Sequence, residues 1–177
     1  MLFWLMPFTA RLASPSDAEA ITTIYNAGIE DRVGTFETRP RTVADVHAWF
    51  DGVHPIVVVE DDDRIVAFAS TSRYLARECY NGIAEFSVYV DRATRGRGAG
   101  RAAMDALLAA ARAAGYWKLT SRVFVENMAS RTLLARVGFR EVGVHHRHAR
   151  LDGVWRDVVI VERLIPENQP EAASGLW

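Results

Sequence analysis

From Gly82 the chain reads GIAEFSVYV, then DRATRGRGAG, then the alanine-rich run RAAMDALLAAARAAG ending at Gly115. The apolar period changes from two to 3.6 across three glycines, which predicts a strand, a tight loop and a helix in direct succession. Gly96, Gly98 and Gly100 stand among Arg95, Arg97 and Arg101. Glycine lets a backbone approach a phosphate closely, and a helix that begins in the loop adds positive potential there. Three readings compete. A Walker A loop requires a Lys followed by Ser or Thr, and RGRGAGRAA has neither. GAGRAA from Gly98 to Ala103 matches the dinucleotide pattern G-x-G-x-x-A, but the chain has only one convincing parallel βαβ unit, where that fold needs two halves. The third is a plain turn between strand and helix, for which three glycines among three arginines are more than is needed.

The remaining elements follow from local punctuation. A short strand at Phe8 to Ala13 precedes SPSDAEAITTIYNAG, where Ser14 is the N-cap, Pro15 the first helical residue and Ile21, Ile24 and Tyr25 an apolar stripe. RTVADVHAWF predicts a second helix capped by Thr42, with Trp49 and Phe50 inward. PIVVVE, the acidic turn DDDR and IVAFASTS form a hairpin. After the glycine loop and its helix come the strand KLTSRVFV, the helix NMASRTLLARV stopped by Gly138, and a last hairpin on the turn LDG. The order β, α, α, β, β, β, α, β, α, β, β predicts one α/β (α+β) domain, and 177 residues suit one domain. Residues 8–165 are assigned to it, residues 1–7 to an N-terminal extension in which Met6 rivals Met1 as the start, and residues 166–177 to a flexible tail. A net charge of -1 gives no general reason to bind nucleic acid or an anionic membrane. No run is long enough to span a bilayer. The single cysteine, Cys79, excludes an internal disulfide, suits a reducing cytoplasm and reads as a small buried residue.

Arg95-x-x-Gly98-x-Gly100 resembles the R/Q-x-x-G-x-G/A loop of the GNAT superfamily of N-acetyltransferases, which bind the diphosphate of acetyl-coenzyme A. ENMASRTLLARVGF resembles the later strand-to-helix segment of the same superfamily. The resemblance implies a mixed, mostly antiparallel twisted sheet with helices on both faces and splayed central strands. It also implies acetyl-CoA contacts from Arg95, Gly96, Arg97, Gly98, Ala99, Gly100 and Arg101 in the loop. Val88, Tyr89 and Val90 are implied on the strand, with Val88 and Val90 bonding the pantetheine as an added strand, and Asn127 and Ser130 at the later helix. Asn127 reads equally well as a plain N-cap.

TFETRPRT, RYLARECY, EFSVYVD and GVWRDVV narrow the resemblance to the phosphinothricin and methionine sulfoximine (sulfone) N-acetyltransferase group. That implies a homodimer acting on a small-molecule amine, with direct attack on the thioester and Glu85 as general base. Phe36, Arg77 and Tyr80 are the implied acceptor-binding residues with Glu85, and Trp155 and Asp157 also fit. A carboxylate on an apolar central strand equally suits an ion pair with Arg77 or another cation. Where the family carries His or Tyr, seven residues after the Asn, this chain has Leu134, which cannot protonate a thiolate; Tyr89 or a water could substitute. Other functions stay open: a non-catalytic acyl-CoA sensor, action on a peptide N-terminus, or a nicotinamide-binding protein. His146 and His148 share a strand face, but without a matched acidic set no metal is expected there.

Overall fold

The computed structural model describes residues 8–169, so the expected extension at 1–7, with its alternative start, lies outside the described residues. The elements follow the expected order: β1 (Thr9–Leu12), α1 (Ala18–Glu30), α2 (Val43–His47), β2 (Ile56–Asp61), β3 (Arg64–Arg73), β4 (Ile83–Val90), α3 (Ala99–Ala113), β5 (Lys118–Phe124), α4 (Met128–Arg136), β6 (Arg140–Leu151) and β7 (Val154–Leu164). Ser14 and Pro15 open a 3-10 turn, Pro15–Asp17, that leads into α1, whose N-cap is Asp17 and not Ser14; the other helix ends follow their signals. The Ser14 amide donates to Asp17 at 2.8 Å, and the Thr42 hydroxyl accepts from the Asp45 amide at 3.2 Å. Gly115 and Gly138 follow α3 and α4 with φ of 85° and 87°, values that exclude most side chains. Helix α2 stops before Trp49 and Phe50, which are half-buried against the same core as Val46.

Seven strands form one sheet in the order β1-β2-β3-β4-β5-β7-β6. Every pairing is antiparallel except β4 with β5. Period-two alternation gives the strands two apolar faces, and each is covered. Val57, Ala69, Phe86, Leu119 and Val161 pack with Ala103, Met104 and Leu107 of α3 and Leu134 of α4. Ile56, Val58 and Phe68 pack with Ile21 and Ile24 of α1 and Val46 of α2. Alanines on the inner side of α3 let the helix lie close to the strands.

The sheet is cut at its centre. β4 follows β3 without a bulge from Arg73 opposite Ala84 to Ala67 opposite Val90, so the parity expected for Glu85, Ser87 and Tyr89 holds. β5 follows β7 along its whole length. Between β4 and β5, however, only Ile83, Ala84 and Glu85 pair, opposite Lys118, Leu119 and Thr120. Beyond Glu85 the two strands part and leave a wedge. Past residue 165 the chain makes a 3-10 turn at Pro166–Asn168, and the Asn168 amide donates to the Arg112 and Tyr116 carbonyls at 2.7 and 2.9 Å. The start of the expected tail is therefore fastened to the end of α3.

Candidate active site

The wedge opens into a cleft of about 730 Å³ lined by Val88, Tyr89 and Val90 of β4, by Arg95, Gly96, Gly98, Gly100 and Arg101, and by Asn127, Ser130 and Leu134. The Asp91 amide bonds Val66 across β3, whereas the Gly82 carbonyl accepts from Trp117 on the β5 side. Strand alternation then turns the peptide groups of Val88 and Val90 toward the missing partner strand. The Val90 carbonyl is taken by Arg95 Nε at 3.2 Å, which leaves the Val88 peptide and the Val90 amide facing the gap. Backbone of Tyr89 faces β3, so this residue meets the cleft by its side chain.

At the other end of the cleft, Gly96 and Gly98 adopt φ of 78° and 102°, and Gly98 begins α3. The first helical turn leaves the amides of Ala99, Gly100 and Arg101 without intrahelical acceptors. A Cβ on Gly100 would stand 3.1 Å from Leu133 and 3.3 Å from Val90. These amides and the helix dipole fit a diphosphate, and the open edge of β4 fits a pantetheine arm. When bound, acetyl-CoA supplies the acetyl group as a thioester.

The three loop arginines part company. Arg95 bonds Asp31 Oδ2 at 2.5 Å, pinning the loop to the end of α1. Burial opposes ionisation of Asp31, yet the bonds from Arg95 and Arg92 prevail and hold its carboxyl below the ordinary value. Arg101 stays in the cleft wall and faces Asp105 at 3.5 Å. Arg97 turns away: it binds Asp61 at 3.0 Å and lies over the Phe8 ring, and its amide is held by the Thr94 carbonyl. Ala99, the first residue of α3, is buried in the core. Asn127 serves as the N-cap of α4, accepting from the Ser130 amide at 3.1 Å, and its Nδ2 donates to the Val33 carbonyl at 3.0 Å. It thus holds the cleft's rim together while lining it.

A second cavity of about 260 Å³ shares Gly34, Ser87, Tyr89, Ser121 and Arg122 with the first. It is completed by Tyr25, Thr35, Phe36, Glu37, Glu85 and Phe124. Glu85 stands at the last paired position of β4 and β5, so its carboxylate reaches this cavity where the strands part. It forms an ion pair with Arg122. The partner is therefore a cation on β5, not Arg77. Phe36 packs edge-on against Phe124 with ring centres 4.8 Å apart and forms an apolar wall. Tyr89 lies between α1 and Phe68, edge-on to Tyr25 at 4.9 Å. Burial pushes the phenols of Tyr89 and Tyr25 above their ordinary value, so both stay protonated at neutral pH.

Several expected residues lie elsewhere. Arg77 is exposed and Tyr80 rests edge-on against Tyr74, both outside the linings of the two cavities. Cys79, between them, is exposed instead of buried, because the segment joining β3 to β4 runs over the surface. Trp155 lies exposed under the Arg150 guanidinium, 4.6 Å from it. Asp157 bonds the Arg147 amide at 2.7 Å and His146 at 2.8 Å, bracing a register shift in β6 that breaks the expected His146 and His148 face. No group of three or more His, Cys, Asp or Glu side chains among the described residues is placed to hold a metal ion. No helix among them is long and apolar enough to cross a membrane. Leu134 is buried in the core and shows only an apolar surface to the cleft. Arg122 escaped the sequence reading, although its parity with Thr120 and Phe124 was legible; its position opposite Glu85 depends on the register between β4 and β5.

Comparison with known proteins agrees with this geometry. Residues 21–139 match the Acetyltransferase (GNAT) family. Phosphinothricin N-acetyltransferase of Streptomyces coelicolor is 31% identical over 89% of this chain and 99% of its own length. L-methionine sulfoximine/L-methionine sulfone acetyltransferase of Pseudomonas paraeruginosa is 30% identical over 89% of this chain and 94% of its own. A crystal structure of a GNAT superfamily phosphinothricin acetyltransferase from Sinorhizobium meliloti, in complex with acetyl-CoA, superposes with a TM-score of 0.86 at 25% identity, covering 97% of this chain and 96% of that one. The cleft beside the parted strands, its glycine loop and these relatives together place the chain in the GNAT family, as an acetyl-CoA-dependent N-acetyltransferase.

Proposed function

We propose that the protein acetylates the α-amino group of a small amino-acid-like acceptor of the phosphinothricin, methionine sulfoximine or methionine sulfone type. The observation that carries this reading is the position of Glu85, on the wall of a small cavity that joins the acetyl-CoA cleft where β4 and β5 separate. In this role the Glu85 carboxylate accepts the acceptor's ammonium proton, and the neutral nitrogen attacks the thioester carbonyl. The Val88 amide, turned into the gap, stands ready to donate to the carbonyl oxygen as negative charge grows there. Phe36 and Phe124 bound the acceptor's side chain. The tetrahedral intermediate collapses with cleavage of the C–S bond, coenzyme A departs as a thiolate of modest basicity without a proton from Leu134, and the second nitrogen proton passes to solvent.

Release of free thiol from acetyl-CoA, followed with phosphinothricin, methionine sulfoximine and methionine sulfone in turn, tests the proposal. Turnover of at least one is expected. Tight acetyl-CoA binding with no turnover would support the sensor reading, which the Glu85 ion pair and apolar Leu134 favour. In one chain Arg77 and Tyr80 stand outside the cavity, so their part in acceptor binding requires a second copy, and the proposal includes a homodimer. Sedimentation at micromolar concentration checks it. Arg77→Ala should then raise the acceptor KM and leave that of acetyl-CoA alone. The exposed free thiol of Cys79 suits a reducing compartment, and a cytoplasmic location completes the proposal.

A further inference from the structure

We infer that Arg122 anchors the α-carboxylate of the acceptor, and that the Glu85 to Arg122 ion pair is the template an amino-acid zwitterion replaces. The inference rests on the acetyltransferase reading above and names the residue that selects free amino acids.

Arg122 and Glu85 approach each other from β5 and β4 on the same sheet face, beside the last paired position of the two strands. Arg122 lines both cavities, and among the described residues lining the smaller one it is the only cation. The other acidic residue there, Glu37, is already held by Arg41 at 2.8 Å. Glu85 and Arg122 therefore have each other as charge partners. Their side chains are 26% and 46% exposed, and a pair so open to water is weak and separates readily.

In an α-amino acid a single carbon joins the ammonium and carboxylate groups. A zwitterion laid along the ion pair brings its ammonium to Glu85 and its carboxylate to the guanidinium fork, which suits a planar bidentate anion. Each protein charge exchanges one counter-charge for another, so neither is left unpaired. The exchange also draws Arg122 off the carboxylate that has to take the proton. An amine with no α-carboxylate, such as an amino-acid amide or a peptide N-terminus, leaves Arg122 on Glu85 and the base engaged.

The test compares methionine sulfone with its carboxamide as acceptors for the wild-type protein, Arg122→Gln and Arg122→Lys. The wild type should favour the free acid by roughly 10–100-fold in kcat/KM, the range expected for one hydrogen-bonded charge contact. Arg122→Gln should bring that ratio close to one, chiefly through the KM of the acid, and Arg122→Lys should restore part of it. Thermal unfolding and acetyl-CoA binding verify that each variant is folded. A wild-type protein that treats acid and amide alike overturns the inference whatever the variants do, and so does a preference that survives in Arg122→Gln. Equal turnover of acids and amides would sink the role of Arg122 alone; binding of acetyl-CoA with no acetylation of either acceptor would sink the acetyltransferase reading itself.

Discussion

Glu85 carries the proposed chemistry, and a glycine on α1 decides where Tyr89 stands. If Glu85 is the general base proposed above, Glu85→Gln should keep the fold and remove the acceptor for the ammonium proton. The expected loss is about 10²–10⁴-fold in kcat with the acetyl-CoA Kd unchanged, as measured by steady-state kinetics beside calorimetry. Equal rates at saturating acceptor and neutral pH would take Glu85 out of the reaction. Gly28 is the less obvious case. A Cβ there would come within 2.5 Å of the Tyr89 ring, which fills the space beside α1 and reaches both cavities. Gly28→Ala must push that ring or the helix aside. We expect a loss of about 1–3 kcal/mol in stability by denaturant titration, with a raised acceptor KM. Nothing local marks Gly28 in the sequence, because its neighbour Tyr89 lies on a distant strand.

At the scale of elements, the glycine loop was legible because its residues report on their own backbone. Positive φ at Gly96 and Gly98 is a local property, and so is the start of α3. Gly98→Ala should therefore raise the acetyl-CoA KM several-fold while the acceptor KM stays close to its original value. The fates of the three arginines were not legible, since Asp31 and Asp61 reach the loop only after the sheet has assembled. A second clasp joins β1, β2 and the entry to α1: Arg11 binds Asp17 at 2.8 Å and Glu60 at 2.7 Å. The Arg11 guanidinium, helped by the Ser14 amide and against the effect of burial, holds the Asp17 carboxyl below its ordinary value. A depressed carboxyl contributes stability above its unfolded pKa of about 4 and loses it as pH falls through the folded one. Asp17→Asn should thus cost about 1–3 kcal/mol at pH 7, and the gap in Tm between variant and wild type should narrow in acid. A gap that is constant from pH 7 to pH 3 would contradict the assignment.

For the whole molecule, the order of all eleven strands and helices could be read from periodicity and punctuation, because each element carries its own ends. The parting of β4 from β5 was legible from the family resemblance and not from periodicity, since its last paired position, Glu85 opposite Thr120, is set by pairing across the sheet. The second cavity, Arg122 among its walls, is a product of that departure. Arg77 lines neither cavity of one chain because the connection from β3 to β4 runs over the surface, which no count along RYLARECY could show. The three paired positions at the centre have a mechanical meaning as well. β1 to β4 and β5 to β7 form two leaves that share the core under α3 and pair directly at only three positions, and in the proposed binding mode the pantetheine arm of acetyl-CoA adds bonds to the open edge of β4. A ligand that binds only the folded protein stabilises it by mass action, by about 2.7 kcal/mol at 100 times Kd. Hydrogen exchange should show the Val88 and Val90 amides slowing on addition of acetyl-CoA, ahead of those of β1. Amides of β5 should follow them, because the two leaves share one core.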